Sequence, residues 1–157
     1  MKKILIAEDE TLIRNLLKKL LETEGYIVIQ ASNGQMAFDM LEANPDIAML
    51  ITDIIMPKMD GRELVGRLRA SKKFSSLPII MISGAVSVKE IAELLEEGVS
   101  WFLPKPLLEN EICKLIPRAF KLSAGKPPAA HPAKKSPPKQ RREADKKGGR
   151  RAQHSRN

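Results

Sequence analysis

Three carboxylates, one hydroxyl and one amine stand at the ends of apolar runs in this chain. They belong to Glu8, Asp9, Asp53, Ser83 and Lys105. A buried apolar strand fixes the position of the residue that follows it, so these side chains are held in place if the runs are strands. Asp53 is the clearest case, because the apolar run that begins at residue 47 leads directly into it.

Carboxylates that meet in one pocket need a counter-charge. Like charges a few ångströms apart raise each other's pKa and destabilise the fold. A divalent cation resolves this, and an all-oxygen site selects Mg²⁺, with Mn²⁺ as the other candidate, over zinc. A phosphoryl group carried by Asp53 as an acyl phosphate would then meet the cation, the ammonium of Lys105 and the hydroxyl of Ser83.

The elements that position these residues alternate between strand and helix. The apolar runs predict strands, and the helical spacing of leucines and isoleucines predicts helices between them. Such alternation indicates right-handed crossovers and a parallel sheet covered on both faces, with ligands bound beyond the carboxyl ends of the strands. The predicted strands are 4–7, 26–31, 49–53, 78–83 and 101–103, and the predicted helices include 61–70 and one that starts near Glu109.

Pro117 falls inside the last helical pattern. Proline removes one backbone hydrogen bond and its ring clashes with the preceding turn. We therefore expect the last helix to kink there or to end near Ile116.

The charge divides the chain in two. Residues 1–122 carry 16 basic and 17 acidic residues, a net of −1, and residues 123–157 carry 11 and 2, a net of +9, which together give the +8 of the whole chain. The second segment has five prolines and no large apolar residue, so we predict one domain at 1–122 and a disordered basic tail at 123–157. The tail is either a solubilising linker or a contact for nucleic acid, an anionic membrane or an acidic protein, without base stacking because it has no aromatic residue.

The single cysteine, Cys113, excludes an internal disulfide and favours a reducing cytoplasm. The apolar run near the N-terminus stops at Glu8, which is too short for a signal peptide. No stretch approaches the length of a transmembrane span.

The set of motifs resembles the receiver domain of bacterial two-component response regulators, the family of the chemotaxis protein CheY. The resemblance covers roughly residues 2–120. It rests on Glu8-Asp9, Asp53 with Met56-Pro57 and Met59-Asp60-Gly61, Ser83-Gly84-Ala85, and Phe102-Leu103-Pro104-Lys105-Pro106. It implies a doubly wound α/β fold, flavodoxin-like, with five parallel strands in the order 2-1-3-4-5 and five helices.

The resemblance also implies a role for each site residue. Asp53 would accept a phosphoryl group from a histidine of a sensor kinase or of a histidine phosphotransfer protein. Asp9 and Asp53 would bind Mg²⁺ through carboxylates, Ile55 through its backbone carbonyl, and Glu8 through a water molecule. Ser83 and Lys105 would bind the phosphoryl oxygens.

Signalling would follow from a change of surface. In the family, the serine moves inward on phosphorylation and an aromatic residue turns in behind it, which makes Ser83 and Phe102 the switch residues here. The remodelled face would be the fourth helix, fifth strand and fifth helix, and it would bind a downstream protein that the sequence does not identify. The family also implies a cis Lys105–Pro106 bond and a location in the bacterial cytoplasm.

Two residues depart from the commoner family pattern. Glu8 stands where aspartate is more frequent, so its distance to the metal shifts by a methylene. Phe102 stands where tyrosine is frequent, so it reports by packing and not through a hydroxyl hydrogen bond.

On this interpretation the protein is not an enzyme with a separate substrate, because it catalyses only its own phosphorylation and dephosphorylation. Two alternatives stay open. A degenerate receiver would bind partners without phosphorylation, although the intact set of Asp9, Asp53, Ser83 and Lys105 argues against it. A Mg²⁺-dependent phosphatase of the haloacid dehalogenase type would also use an aspartate nucleophile, but it requires a second acid where this chain has Ile55.

Overall fold

Strands and helices alternate throughout residues 1–123, the part of the chain that the computed structural model describes. The elements are β1 (Lys3–Ala7), α1 (Thr11–Thr23), β2 (Ile27–Ala31), α2 (Gly34–Ala43), β3 (Ile47–Asp53), α3 (Gly61–Ala70), a 3₁₀ turn (Lys72–Phe74), β4 (Ile79–Ser83), α4 (Val88–Glu96), β5 (Trp101–Pro104) and α5 (Glu109–Ser123). Every predicted strand lies within two residues of its predicted bounds and every predicted helix is present, and within residues 1–123 the 3₁₀ turn was not expected. The predicted basic tail lies outside the described residues, except for Ser123, which ends α5.

The five strands form one parallel sheet in the order β2-β1-β3-β4-β5, which confirms the doubly wound topology. Leu5 lies between Ile29 on one side and Leu50 on the other. Because all strands run the same way, their carboxyl ends share one edge of the sheet. The residues after β1, β3, β4 and β5 therefore meet there.

Two apolar clusters cover the two faces of the sheet. One takes Leu41 from α2, Leu64 from α3 and Leu94 from α4, and the other takes Leu17 from α1 and Ile112 from α5. Successive strand residues point to opposite faces, so a strand buried on both sides has no polar position to alternate with. This is why the strands read as continuous apolar runs in the sequence.

Side chains cap three of the helices at the site edge. Asn33 accepts a hydrogen bond from the Met36 amide at the start of α2, and Asp60 accepts one from the Glu63 amide at the start of α3. Ser87 begins α4 through a capping box. These bonds satisfy backbone amides that a helix cannot satisfy internally, so the first turns are fixed.

Helix α5 continues through Pro117 to Ser123, so the predicted end near Ile116 is wrong. Pro117 itself is exposed, but Ile116 and Ala119 on either side are buried in the core. The ring of Phe120 lies 6.0 Å from that of Tyr26. Burial of these residues outweighs the loss of about 3 kcal/mol that an interior proline costs a helix.

A partly buried arginine, Arg69, fixes the far end of α4. The Arg69 guanidinium donates to the backbone carbonyls of Phe74, Leu77 and Gly98 at 2.7 to 2.9 Å. Burial lowers the pKa of Arg69 to about 10, because the surroundings supply carbonyl dipoles and no carboxylate. The connection after α4 is thereby tied to the connection after α3.

Within residues 1–123, no helix combines the length and the apolar character needed to cross a membrane.

Candidate functional site

Asp53 lies at the last position of β3, and its side chain is almost fully buried. One carboxylate oxygen accepts a hydrogen bond from the Ile54 amide at 2.7 Å, and the other accepts one from the Lys105 ammonium at 2.8 Å. The β3–α3 loop folds tightly against it, since the Gly61 amide donates to the Ile54 carbonyl at 2.7 Å. A Cβ at Gly61 would lie 2.1 Å from the Asp53 carbonyl oxygen, so only glycine fits there.

The two acids after β1 approach Asp53 from the neighbouring strand. Glu8 is 1% exposed, whereas Asp9 is open to solvent. One carboxylate oxygen from each of Glu8, Asp9 and Asp53 lies within 4.8 Å of the others. The parallel pairing of β1 with β3 brings them together, as the sequence predicted for residues that follow adjacent strands.

Lys105 lies between two of these acids. Its Nζ is 2.8 Å from Asp53 Oδ2 and 3.2 Å from Glu8 Oε2. Burial by itself lowers the pKa of the Lys105 ammonium, but the hydrogen bonds and attraction of Asp53 and Glu8 outweigh it and leave the pKa raised. Lys105 therefore stays charged at neutral pH.

The backbone holds Lys105 in this position. Its amide donates to the Ser83 carbonyl at 2.8 Å, which joins the ends of β4 and β5. The Lys105–Pro106 bond is cis, which confirms the expectation.

The pKa of the Glu8 carboxyl is raised. Burial is the largest cause that raises the pKa of its carboxyl above 4.5, and the charge of Asp53 raises it further. The amide of Glu10, at 3.1 Å, and Lys105 act in the opposite direction without cancelling the rise. Ionisation of Glu8 is thus less favourable in the folded protein than it is for an ordinary glutamate.

The donor set fits a hard divalent cation. Three carboxylate oxygens converge, and the described residues bring no histidine or cysteine beside them. Oxygen donors of this kind bind Mg²⁺ or Mn²⁺, and the added positive charge would relieve the unfavourable ionisation of Glu8.

The other predicted residues lie around the acids. Ser83 is buried at the end of β4, and Phe102 is half-buried on β5, where it packs against the cluster that includes α4. Ile55 lies in the β3–α3 loop with its side chain 78% exposed, so its side chain is available to a partner. The structure therefore places every predicted site residue at the one edge of the sheet or on the strand that leads to it.

Sequence reasoning missed Arg14. Its guanidinium donates to the backbone carbonyl of Glu8 at 2.7 Å and to that of Asp9 at 3.3 Å. The signal in the sequence was a single basic residue one turn into the helix that follows an acidic pair.

Comparisons with known proteins agree with this geometry. The family model of the response regulator receiver domain matches residues 4–117. A chemotaxis protein CheY homolog of Campylobacter jejuni is 38% identical over 105 residues, which cover 66% of this chain and 81% of that protein. The two-component response regulator ORR11 of Oryza sativa is 30% identical over 117 residues, or 74% of this chain and 80% of that protein.

Solved structures give the same result. The chemotaxis protein CheY4 of Vibrio cholerae superposes with a TM-score of 0.71 at 28% identity, covering 76% of this chain and 98% of that one. A response regulator receiver domain protein from Clostridium thermocellum superposes with a TM-score of 0.73 at 26% identity, covering 79% and 98%. With its fold, strand order and matched residues, the chain belongs to the response regulator receiver domain family.

Proposed function

We propose that this protein is a response regulator whose phosphoacceptor is Asp53, and that its phosphorylation depends on Mg²⁺. The observation that carries the proposal is the convergence at Asp53. Its carboxylate is bound by Lys105 at 2.8 Å and lies within 4.8 Å of ligand atoms from Glu8 and Asp9. A carboxylate with a structural role needs one cation, and Lys105 supplies it. Here three acids converge, so negative charge remains that a divalent cation would neutralise.

The chemistry follows from the positions of the side chains. An Asp53 oxygen forms a bond to the phosphorus of the donor while the bond from phosphorus to the donor's histidine nitrogen breaks, and the electron pair stays on the imidazole. The Lys105 ammonium, now beside Asp53, binds a phosphoryl oxygen, and the Ser83 hydroxyl donates to another. Mg²⁺ would neutralise charge on the phosphoryl oxygens, and Glu8, Asp9, Asp53 and the carbonyl of Ile55 would hold it.

The surroundings of the site support a protein donor over a small metabolite. Leu12, Ile55 and Leu108 each follow a site residue by two or three positions, and all three are well exposed. Exposed apolar residues beside a charged pocket are typical of a docking surface for a protein. We propose a sensor histidine kinase or a histidine phosphotransfer protein as that partner.

The signal to a downstream protein would pass from the end of β4 to the neighbouring strand β5. Ser83 ends that strand, and Phe102 pairs with Met81 across to β5. Movement of Ser83 towards the phosphoryl group frees space that Phe102 enters by packing alone, which remodels the face made by α4, β5 and α5. Val88 and Leu95 of α4 are exposed there and provide apolar contact for a downstream protein.

Intact-mass measurement tests the proposal. The protein is incubated with acetyl phosphate, with Mg²⁺ or with EDTA, beside Asp53→Asn and the control Asp60→Asn, whose carboxylate caps α3 and is not part of the site. We expect a gain of one phosphoryl group with Mg²⁺ only, retained in Asp60→Asn and absent from Asp53→Asn.

The other outcomes separate the alternatives. A folded protein that gains no phosphoryl group would be a degenerate receiver. Steady hydrolysis of a phosphomonoester would make it a phosphatase.

We propose the bacterial cytoplasm as the location of this protein. The roles predicted for the basic tail stay predictions. A salt titration of binding to DNA and to anionic vesicles, with and without residues 123–157, distinguishes them.

A further inference from the structure

Arg14 contacts the site from behind, through the backbone of its acidic residues. Its Nη1 donates to the Glu8 carbonyl at 2.7 Å and to the Asp9 carbonyl at 3.3 Å, and its Nη2 lies 3.4 Å from the Thr11 hydroxyl. One guanidinium thus spans the whole turn from the end of β1 to the start of α1. A planar fork of donors suits this task better than any other side chain.

The turn has few other restraints. Glu10, at the N-cap of α1, accepts no side-chain cap hydrogen bond from the helix, whereas α2, α3 and α4 are each capped by a side chain. The Glu10 amide donates to the Glu8 carboxylate itself, at 3.1 Å, so that bond competes with any ligand for the same oxygen. The Glu8 amide, which donates to the Ala31 carbonyl at 3.1 Å, ties the start of the turn to β2. Arg14 is the side chain that holds the carbonyls of Glu8 and Asp9 without using a carboxylate.

The backbone of Arg14 is itself hydrogen-bonded to a residue of the sheet. The Gln30 amide group of β2 donates to the Arg14 carbonyl at 3.3 Å and to the Asn15 Oδ1 at 3.4 Å. The Arg14 amide donates to the Glu10 carbonyl at 2.9 Å in the first helical turn. A guanidinium on a fixed backbone can hold the two carbonyls in a fixed place.

We infer that Arg14 is a positioning residue for the divalent cation, because it aims the carboxylates of Glu8 and Asp9 at Asp53. The inference rests on the proposed function, since that function supplies the cation. It predicts whether Mg²⁺ binding becomes tighter or weaker when the guanidinium is removed. By charge alone, a nearby guanidinium repels Mg²⁺, and its removal would tighten binding. By position, its removal frees the turn and weakens binding, as the loss of groups that orient metal ligands does by about tenfold or more.

Calorimetric titration of the full chain with Mg²⁺ and with Mn²⁺ tests the inference. We expect Arg14→Met to bind both ions about tenfold more weakly. Arg14→Lys keeps the charge and one or two of the contacts, so we expect it to recover part of the affinity. Arg118→Met, which removes an exposed arginine from α5, is the matched control and leaves the affinity unchanged.

Phosphorylation by acetyl phosphate gives a second measurement. A positioning role raises the Mg²⁺ concentration for half-maximal rate in Arg14→Met and leaves the rate at saturating Mg²⁺ close to that of the wild type. A general loss of structure would lower both. Urea unfolding in EDTA shows whether each variant is folded before it is titrated.

Equal or tighter binding by folded Arg14→Met overturns the inference and leaves the proposed function intact. A wild-type protein that binds neither ion contradicts both. If Arg14→Met does not fold, Arg14→Gln, which keeps a donor and removes the charge, decides the same sign: weaker binding than wild type supports positioning, and tighter binding refutes it.

Discussion

Replacing Glu8 by glutamine is expected to stabilise the metal-free protein at neutral pH. At an effective dielectric constant of about 20, repulsion between Glu8 and Asp53, which have carboxylate oxygens within 4.8 Å of each other, costs at least about 3.5 kcal/mol, and attraction to Lys105 across 3.2 Å returns about 5 kcal/mol. The pairwise balance therefore favours the charge by no more than about 2 kcal/mol. Burial of a carboxylate that is 1% exposed costs several kcal/mol, however, and exceeds that balance. We expect Glu8→Gln to raise the free energy of unfolding by about 1–3 kcal/mol.

The effect depends on pH in a defined direction. The pKa of Glu8 is raised in the folded protein above the ordinary 4.5, mainly by burial, so between those two values the folded state binds more protons than the unfolded one. Stability of the wild type therefore falls as pH rises through this window, while Glu8→Gln does not share the fall. The advantage of Glu8→Gln should be smallest at pH 4 and should grow as the pH rises through this window.

Urea unfolding followed by circular dichroism, in EDTA from pH 4 to pH 8, measures this difference. Glu96→Gln, which removes an exposed acid of α4, is the control and should change stability by less than about 0.5 kcal/mol. With saturating Mg²⁺ the advantage of Glu8→Gln should shrink, because the cation stabilises the wild type more. A Glu8→Gln protein that is no more stable than the wild type at pH 8 in EDTA would refute the reasoning.

Three further predictions concern the elements around the site. Gly61→Ala should cost about 1–3 kcal/mol of unfolding free energy, because its Cβ would lie 2.1 Å from a backbone oxygen of β3. Gly66→Ala in the same helix, where a Cβ meets nothing within 4 Å, should stabilise by up to about 1 kcal/mol, and equal effects in urea unfolding would contradict both. Arg62 and Glu97, whose side chains meet at 2.5 Å and join α3 to α4, should show a coupling of about 0.2–1 kcal/mol in a double-mutant cycle that weakens in salt. Pro117→Ala should raise the thermal midpoint by several degrees, because it restores a helical hydrogen bond at an exposed position; a lower midpoint would mean that the ring is needed for packing.

The fold could be predicted because its signals are local. Helix α3 begins at Gly61, as predicted, since Asp60 caps it and the glycine fits against β3. Pro117 shows the limit of this reasoning. Its cost is readable from one residue, but the burial of Ile116 and Ala119 that outweighs it depends on the packing of α5 against the sheet.

The site could be predicted only in part. The sequence shows which acids meet, because all strands of a parallel sheet end at the same edge and bring together the residues that follow them. The position of the Lys105 ammonium between Glu8 and Asp53 depends on side-chain conformations that no spacing encodes. Arg14 escaped notice for a related reason, since it acts on backbone carbonyls and leaves no pattern of paired charges.

Locating the phosphoryl group on the chain tests the central claim most directly. After phosphorylation with acetyl phosphate and Mg²⁺, borohydride converts an aspartyl phosphate to homoserine, and peptide mass analysis then identifies the modified position. We predict homoserine at position 53 and at no other acidic residue. Homoserine at Asp9 or Asp60 instead, or none in a folded protein that binds Mg²⁺, would contradict the account.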